Sequence, residues 1–440
     1  MKSLGQRIIA VLIVVLILAQ MLTVGISRYN SLRESTQDIG ENVELTIWYT
    51  DAKLNDFMLA AAEEYKAKTG IPVNAQLISA VDYIEKISDA TFIEENGPDL
   101  FVAGSDLLQK ALYAGLVDDQ VTYSEEESKN IPQKAFDAAT CNGKLIGYPF
   151  YFESCFLLYN KYYAEDWPRN IDQILEYADA FDTTATTEKV QSIFKWDVSD
   201  IFYNYFFIGN YVGLGGPYGD DKAQLNLSEG NVIECLKYYQ SLNEFFAIDE
   251  ETVHNEDVIQ EFIDGKIVFT IAKTDAIARL DQAIADGAIP EYQLETTTDE
   301  EGNEVPAREV DCFYGVGDIP NLTENLITRG LSVTNSIVVN DYSPFQAYAN
   351  DFAHYLSYER AEHLYEQTGK VSVCKNVTAG DENWERIMVQ YAGSVEIPKI
   401  IEMSNYWILM EIAFANIWNG ADIMSEIGTV VNQVNMQMNE

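Results

Sequence analysis

Between Val43 and Asp106 the chain switches repeatedly between strand-like and helix-like stretches, and this alternation limits the fold more than any other feature of the sequence. VELTIWY, residues 43–49, alternates apolar and polar positions and is rich in β-branched and aromatic residues, which predicts a strand. Asn55-Asp56 is expected to cap a helix with Phe57, Met58, Ala61, Ala62 and Tyr65 on one face, ended by Lys66, Lys68 and Gly70. IPVNAQLI reads as a second strand. Ser79 is expected to open a second helix with Val81, Ile84 and Ile87 inward. After Gly97-Pro98, the short apolar run DLFVAGS reads as a strand buried on both faces. The order β-α-β-α-β predicts an α/β fold with a mostly parallel sheet and helices on both sides. Ligands of such sheets bind beyond the carboxyl ends of the strands. Three segments lie there: YTDAK at 49–53, AGSD at 103–106, and the region of Glu153.

A chain of 440 residues, 47% of them hydrophobic, is long enough for two packed lobes. Its 28 basic against 70 acidic residues leave a net charge of −42, which argues against nucleic acid or an anionic lipid surface as a partner for the body of the protein. Near the N-terminus, Lys2 and Arg7 precede an apolar stretch at residues 8–26, long enough to cross a bilayer as a helix. Export is expected, with residues 1–28 as a signal peptide or membrane anchor. The uncleaved anchor is favoured because no clean A-x-A site follows, and no cysteine follows to accept a lipid. Residues 29–42 form a polar linker.

Five cysteines, Cys141, Cys155, Cys235, Cys312 and Cys374, form no C-x-x-C pair and are expected to be buried thiols, with a Cys141–Cys155 bridge as the alternative. The three histidines, His254, His354 and His363, offer little to an imidazole-based metal or catalytic site, so neither cofactor nor metal is expected.

Further along, GKLIGYPFYFESCFLLYNK, residues 143–161, sets one carboxylate, Glu153, between two apolar runs of strand length. This stretch, with LTIWYTDAKLNDFMLAAAEEYKAKTGIPV, GPDLFVAGSD, FIDGKIVFTI and EIPKIIEMSNYWILMEIAFANIW, gives the chain its resemblance to the extracellular solute-binding proteins of ABC importers, in particular the maltose-binding family. The resemblance runs from about Val43 to the C-terminus. It implies a type II periplasmic-binding-protein-like fold, with two hinged α/β lobes and a ligand cleft between them. Residues 43–151 and 332–374 would form the first lobe, and 153–329 and 377–440 the second. It also implies capture of a small solute, most often a carbohydrate, by a monomer outside the cell, and delivery to ABC permease subunits.

The resemblance assigns ligand contacts position by position. Glu153 would sit at a crossing between the lobes, where a carboxylate accepts several charge-assisted bonds from sugar hydroxyls; held by backbone amides, it would contribute only geometry. Lys53 matches a lysine that reaches ligand hydroxyls, with Asp51 on the same loop, and Asp106 matches an aspartate that binds them. Trp407, preceded by Tyr406, matches a tryptophan that stacks under a pyranose; otherwise it is core. Two departures weigh against a long maltodextrin. The family's tryptophan before AGSD is Ala103 here, and the one after VFTI is replaced in AKTDA, where Asp275 stands. Trp196, Tyr203 or Tyr205 in KWDVSDIFYNYFF are candidates to restore an aromatic face. The resulting cleft, with Asp51, Asp106, Glu153 and Asp275 against Lys53, suits a neutral polyhydroxylated ligand and would also suit a cationic one.

Alternatives remain at this stage. A membrane-tethered ligand sensor for a polyol or cationic solute would need the same cleft, and a glycoside hydrolase would pair Glu153 with Asp106 or Asp275. The acidic excursion at 296–309 reads as a solvated hairpin and only loosely as a calcium loop. The glycines of 209–219 read as a loop, not a phosphate-binding fingerprint.

Overall fold

The computed structural model describes residues 43–439 except 120, 185, 229, 293, 295, 299–302, 307 and 308; the expected anchor and linker at 1–42 lie outside the described residues. The first strand, β1 (Leu45–Tyr49), buries Leu45, Ile47 and Tyr49 and leaves the alternate positions half-exposed, as its period of two requires. Helix α1 (Asn55–Thr69) buries the five expected residues and stops at Gly70, in the left-handed conformation that a side chain disfavours. Asn55 does not cap it: its side chain accepts the Tyr49 hydroxyl at 2.7 Å. Strand β2 (Val73–Leu77) follows, then α2 (Tyr83–Phe92), which begins later than Ser79 suggests. Ile84 and Ile87 face inward as expected, whereas Val81 precedes the helix and is 69% exposed. Strand β3 (Leu100–Gly104) is buried on both faces except at its last residue.

The long strand β4 (Tyr148–Asn160) is the spine of the molecule, and it is followed by β5 (Ser192–Phe194), β6 (Ile267–Lys273), helix α3 (Asp275–Ala285), β7 (Tyr314–Gly317) and β8 (Leu331–Val339). Then come α4 (Gln346–His354), β9 (Val371–Ser372), α5 (Glu382–Gly393), β10 (Val395–Glu396), and the C-terminal helices α6 (Tyr406–Trp418) and α7 (Ile423–Met438). The ten strands connect in the order β2-β1-β3-β8-β4-β6-β5, with β7 and β9 also on β4 and β10 on β8. β1 runs parallel to β2 and β3, but β8 is antiparallel to both β3 and β4. β6 runs parallel to β5 and β8 parallel to β10, while β4 is antiparallel to every strand it meets, so the sheet is mixed and not mostly parallel.

β4 changes partners along its length. Its first half pairs with β8 and β9, and its second half with β6 and β7. Glu153 falls at the changeover, opposite Val333. Around the early strands, Leu45, Phe57, Phe150, Phe352 and Leu356 form one core, while Leu157, Trp196, Tyr239, Phe414 and Val430 belong to another. A third cluster joins Ile131, Phe152 and Val371 to Val258, Ile277 and Tyr391, so apolar packing continues past the point where β4 changes partners. There the Phe152 and Tyr391 rings stack 3.9 Å apart.

All five cysteines are free thiols, four of them buried, and the Cys141–Cys155 bridge does not form. The 296–309 excursion contains an antiparallel hairpin of Thr296–Thr298 with Glu304–Pro306. In the 209–219 loop, Gly215 and Gly216 adopt φ of +93° and +76°, values that strain any residue with a Cβ. Among the described residues no helix is long and apolar enough to cross a membrane.

Candidate functional site

Side chains alternate along a strand, so Tyr151 and Glu153 share one face of β4 while Phe152 turns into the core. Lys273, the last residue of β6, pairs with Cys155 and so lies diagonally beside Glu153 on that face. Lys370 enters the same face because the next residue, Val371, pairs with Phe152. Asp51 arrives from the loop after β1, where one of its oxygens accepts from the Lys53 backbone N–H at 2.9 Å and caps a short 3-10 turn. Asp275 opens α3 directly after β6.

Five charges meet here in alternation. The Lys370 ammonium is 2.7 Å from Asp51 Oδ2 and 2.9 Å from Glu153 Oε1. Lys273 Nζ stands 4.0 Å from Glu153 Oε2 and 4.0 Å from Asp275 Oδ2. The result is a chain of ions, Asp51–Lys370–Glu153–Lys273–Asp275. Lys370 is 7% exposed, with its ammonium 5.1 Å from the centre of the Tyr151 ring. Burial alone would raise the carboxyl pKa values of Asp51 and Glu153, but the hydrogen bond and charge of Lys370 outweigh it and hold both below the ordinary range. Burial likewise opposes the charge on Lys370, and its two carboxylates more than compensate, so its pKa rises well above the usual lysine value.

Lys53 is exposed and makes no ion pair in this chain of charges. It lines, together with Asp275, an open groove of about 810 Å³ walled by Asn55, Arg279 and Gly369. Gly369, at φ +70°, passes so close to α3 that a Cβ on it would lie 2.9 Å from the Cβ of Ala278. The structure thus gathers Asp51, Glu153 and Asp275 into one cluster and puts Lys53 on the adjoining groove.

The other expected contacts lie elsewhere. Asp106, in the turn after β3, is accessible to solvent but hemmed in by protein, and desolvation, with the nearby Glu396 charge, raises its pKa. It belongs to a second polar cluster. Glu396 accepts from Ser105 Oγ at 2.7 Å, Ser332 Oγ at 2.9 Å and the Thr334 N–H at 2.6 Å, tying β10 to β8 and to the end of β3. The carboxylate held by a backbone amide is therefore Glu396, whereas Glu153 is held by lysines. Beside it, Lys399 is 1% exposed and donates to the carbonyls of Asp137 and Tyr218, and burial lowers its pKa to about 8.

Tyr406 is core. It is 1% exposed, and its hydroxyl lies 3.1 Å from that of Tyr205, so no open ring face remains for a ligand. Trp407 is half-buried, edge-on to Tyr205 and Tyr406 at 5.2 and 5.0 Å. The three aromatics expected to restore a stacking face, Trp196, Tyr203 and Tyr205, are all buried. The aromatic of that segment left half-exposed is Phe202, whose ring centre lies 5.4 Å from Lys273 Nζ. Phe202, Lys273 and Lys370 were not among the expected contacts, although Phe202 and Lys273 lie in KWDVSDIFYNYFF and AKTDA. Among the described residues, no three His, Cys, Asp or Glu side chains gather as a metal site.

The model of the bacterial extracellular solute-binding protein family matches residues 60–388, three quarters of the chain. The chain belongs to this family. Among curated relatives, the maltodextrin-binding protein of Bacillus subtilis is 21% identical over 325 residues, covering 71% of this chain and 70% of that protein. The structure of the extracellular solute-binding protein of Staphylococcus aureus in complex with maltose superposes with a TM-score of 0.72 at 20% identity, covering 91% of this chain and 99% of the other. The maltotriose-binding protein of Thermus thermophilus gives 0.66 at 18% identity, covering 90% and 100%. At such identities the likeness establishes the shared fold, the two-lobed α/β architecture of these solute-binding proteins. Within that fold, this solute-binding protein holds Asp51 and Glu153 on an internal ammonium.

Proposed function

We propose that this protein captures a short carbohydrate outside the cell and delivers it to the permease subunits of an ABC importer. The observation that carries this reading is the convergence of Asp51, Glu153 and Asp275, from three separate segments, on one partly open site within a solute-binding fold. Support comes from the relatives, described as binding maltodextrin, maltose or maltotriose. With Ala103 2% exposed and an aspartate at 275, few aromatic faces remain to stack successive rings, which favours one or two sugar units over a long dextrin. The protein works as a monomer held at the outer face of the membrane by residues 1–28.

It performs no chemistry on the ligand. A glycosidase needs one carboxyl group kept protonated as the acid, with a raised pKa. Asp106 has the raised pKa but belongs to the separate cluster around Glu396, while Glu153 and Asp51 are held ionised by Lys370, so Glu153 and Asp106 do not make an acid–nucleophile pair.

Thermal melting of the full chain with glucose, maltose, maltotriose and sorbitol tests the proposal. A ligand at a hundred times its Kd adds about 2.7 kcal/mol to stability. At least one of these solutes should raise the melting temperature, and no shift with any of them at millimolar concentrations would refute carbohydrate capture.

A further inference from the structure

We propose that Lys273 binds the ligand directly, with Asp275 as its counterpart, and that this pair makes the site select a neutral hydroxyl-bearing solute over a cationic or anionic one. The inference rests on the carbohydrate reading and narrows it.

The two lysines of the site differ in what they have left to give. Lys370 is buried and engaged at 2.7 and 2.9 Å with two carboxylates. Lys273 stands 4.0 Å from both of its carboxylates, beyond direct hydrogen-bond range, and donates no hydrogen bond among the described residues. Its side chain is 21% exposed, beside the Phe202 and Tyr203 rings at 5.4 and 5.6 Å. Asp275 Oδ1 is buried with no hydrogen-bond partner, although Asp275 lines the groove between α1 and α3. A donor and an acceptor thus remain unspent side by side, each costly to bury unpaired.

A hydroxyl is the group that answers both, because its oxygen accepts from the ammonium while its proton goes to the carboxylate. Neighbouring hydroxyls on a sugar or polyol would do so with two oxygens. An ammonium on the ligand offers donors only: it would satisfy Asp275 and stand against the Lys273 ammonium. A carboxylate on the ligand would accept from Lys273 but face Asp275 and Glu153, which flank that ammonium. Neutral hydroxyls match the free hydrogen-bonding capacity, and a cationic solute does not.

The test is calorimetric titration of the full chain with D-glucose, maltose, D-sorbitol, D-glucosamine and D-glucuronate, repeated on Lys273→Met and Lys273→Gln. The tightest neutral probe should bind the native protein at least about tenfold more tightly than the charged sugars, a difference of about 1.4 kcal/mol. Lys273→Met should weaken that probe at least about tenfold while the ligand-free melting temperature stays nearly constant, and Lys273→Gln, which keeps a donor, should fall between. If Lys273→Met does not fold, Lys273→Gln carries the test alone: any neutral probe it binds as tightly as the native protein does overturns the proposal. Glucosamine binding as tightly as glucose, or unchanged neutral affinity in Lys273→Met, would also overturn it while leaving carbohydrate capture standing. Absence of binding by every neutral probe would overturn both.

Discussion

Replacing Lys370 with Met removes an ammonium but keeps an unbranched chain of similar volume, so the loss reports on charge and not on a cavity. Lys370 is 7% exposed and contacts two carboxylates. Removing one partner of a buried ion pair costs about 3–5 kcal/mol, because the other charge stays buried and unmatched. The Asp51 and Glu153 side chains keep 30% and 25% of their exposure, so water compensates part of this, and a loss of about 2–4 kcal/mol at pH 7 is expected. The pH dependence gives a second check. In the native protein both carboxyl pKa values are depressed, so their contribution is complete above the unfolded values, about 3.9 and 4.3, and is lost as pH falls through the lower folded values. Without Lys370, desolvation raises both, and protonation relieves the buried charges. The stability gap between native protein and variant should therefore narrow from pH 7 to pH 4. Urea denaturation followed by tryptophan fluorescence at both pH values measures it. A loss under about 1 kcal/mol at pH 7, or an equal gap at pH 4, would refute the view that Lys370 holds these two charges together.

Glu396→Ala strands Ser105, Ser332 and the Thr334 N–H without their acceptor, and a loss of about 3 kcal/mol or more is expected by denaturant titration. Lys399, whose folded pKa is about 8 against an unfolded value near 10.4, binds fewer protons folded than unfolded between those pH values, so it adds stability as pH rises through that window. The native protein should gain up to about 3 kcal/mol relative to Lys399→Met from pH 7.5 to 10.5, read by urea midpoints, and a flat difference would count against a buried Lys399. Trp407→Ala should weaken sugar binding, by titration calorimetry, more than it lowers the ligand-free melting temperature. Tyr406→Ala should do the opposite, destabilising by about 3 kcal/mol or more, because Tyr406 is core.

The carboxyl-end segments at 49–53 and 103–106 were legible because a strand followed by a turn is a local pattern, and Asp51 and Asp106 do stand at the ends of β1 and β3. The position of Glu153 was legible for a similar reason: an acid between two strand-length apolar runs marks a place where a strand changes surroundings, and β4 changes partners there. Aromatic roles were not legible. In IFYNYFF, residues 201–207, rings recur at almost every position, and only tertiary packing, such as that of Tyr205 against Tyr406 and Trp407 of α6, decided that Tyr203 and Tyr205 are buried while Phe202 stays half-exposed.

The sequence by itself determined the alternation of strands and helices, the buried faces of β1 and α1, and the presence of an acid where β4 changes partners. These follow from periods of 2 and 3.6 residues, which are properties of neighbours along the chain. Only the tertiary structure decided which charges meet. Lys370 lies 217 residues from Glu153 in sequence, and nothing in the local composition of GKVSVCKN distinguishes it from a surface lysine. β9 sets it beside Glu153 by pairing with β4, and the loop after β1 brings Asp51 to its other side. An ion pair depends on distance and desolvation in three dimensions, and neither is written in any short stretch of the chain.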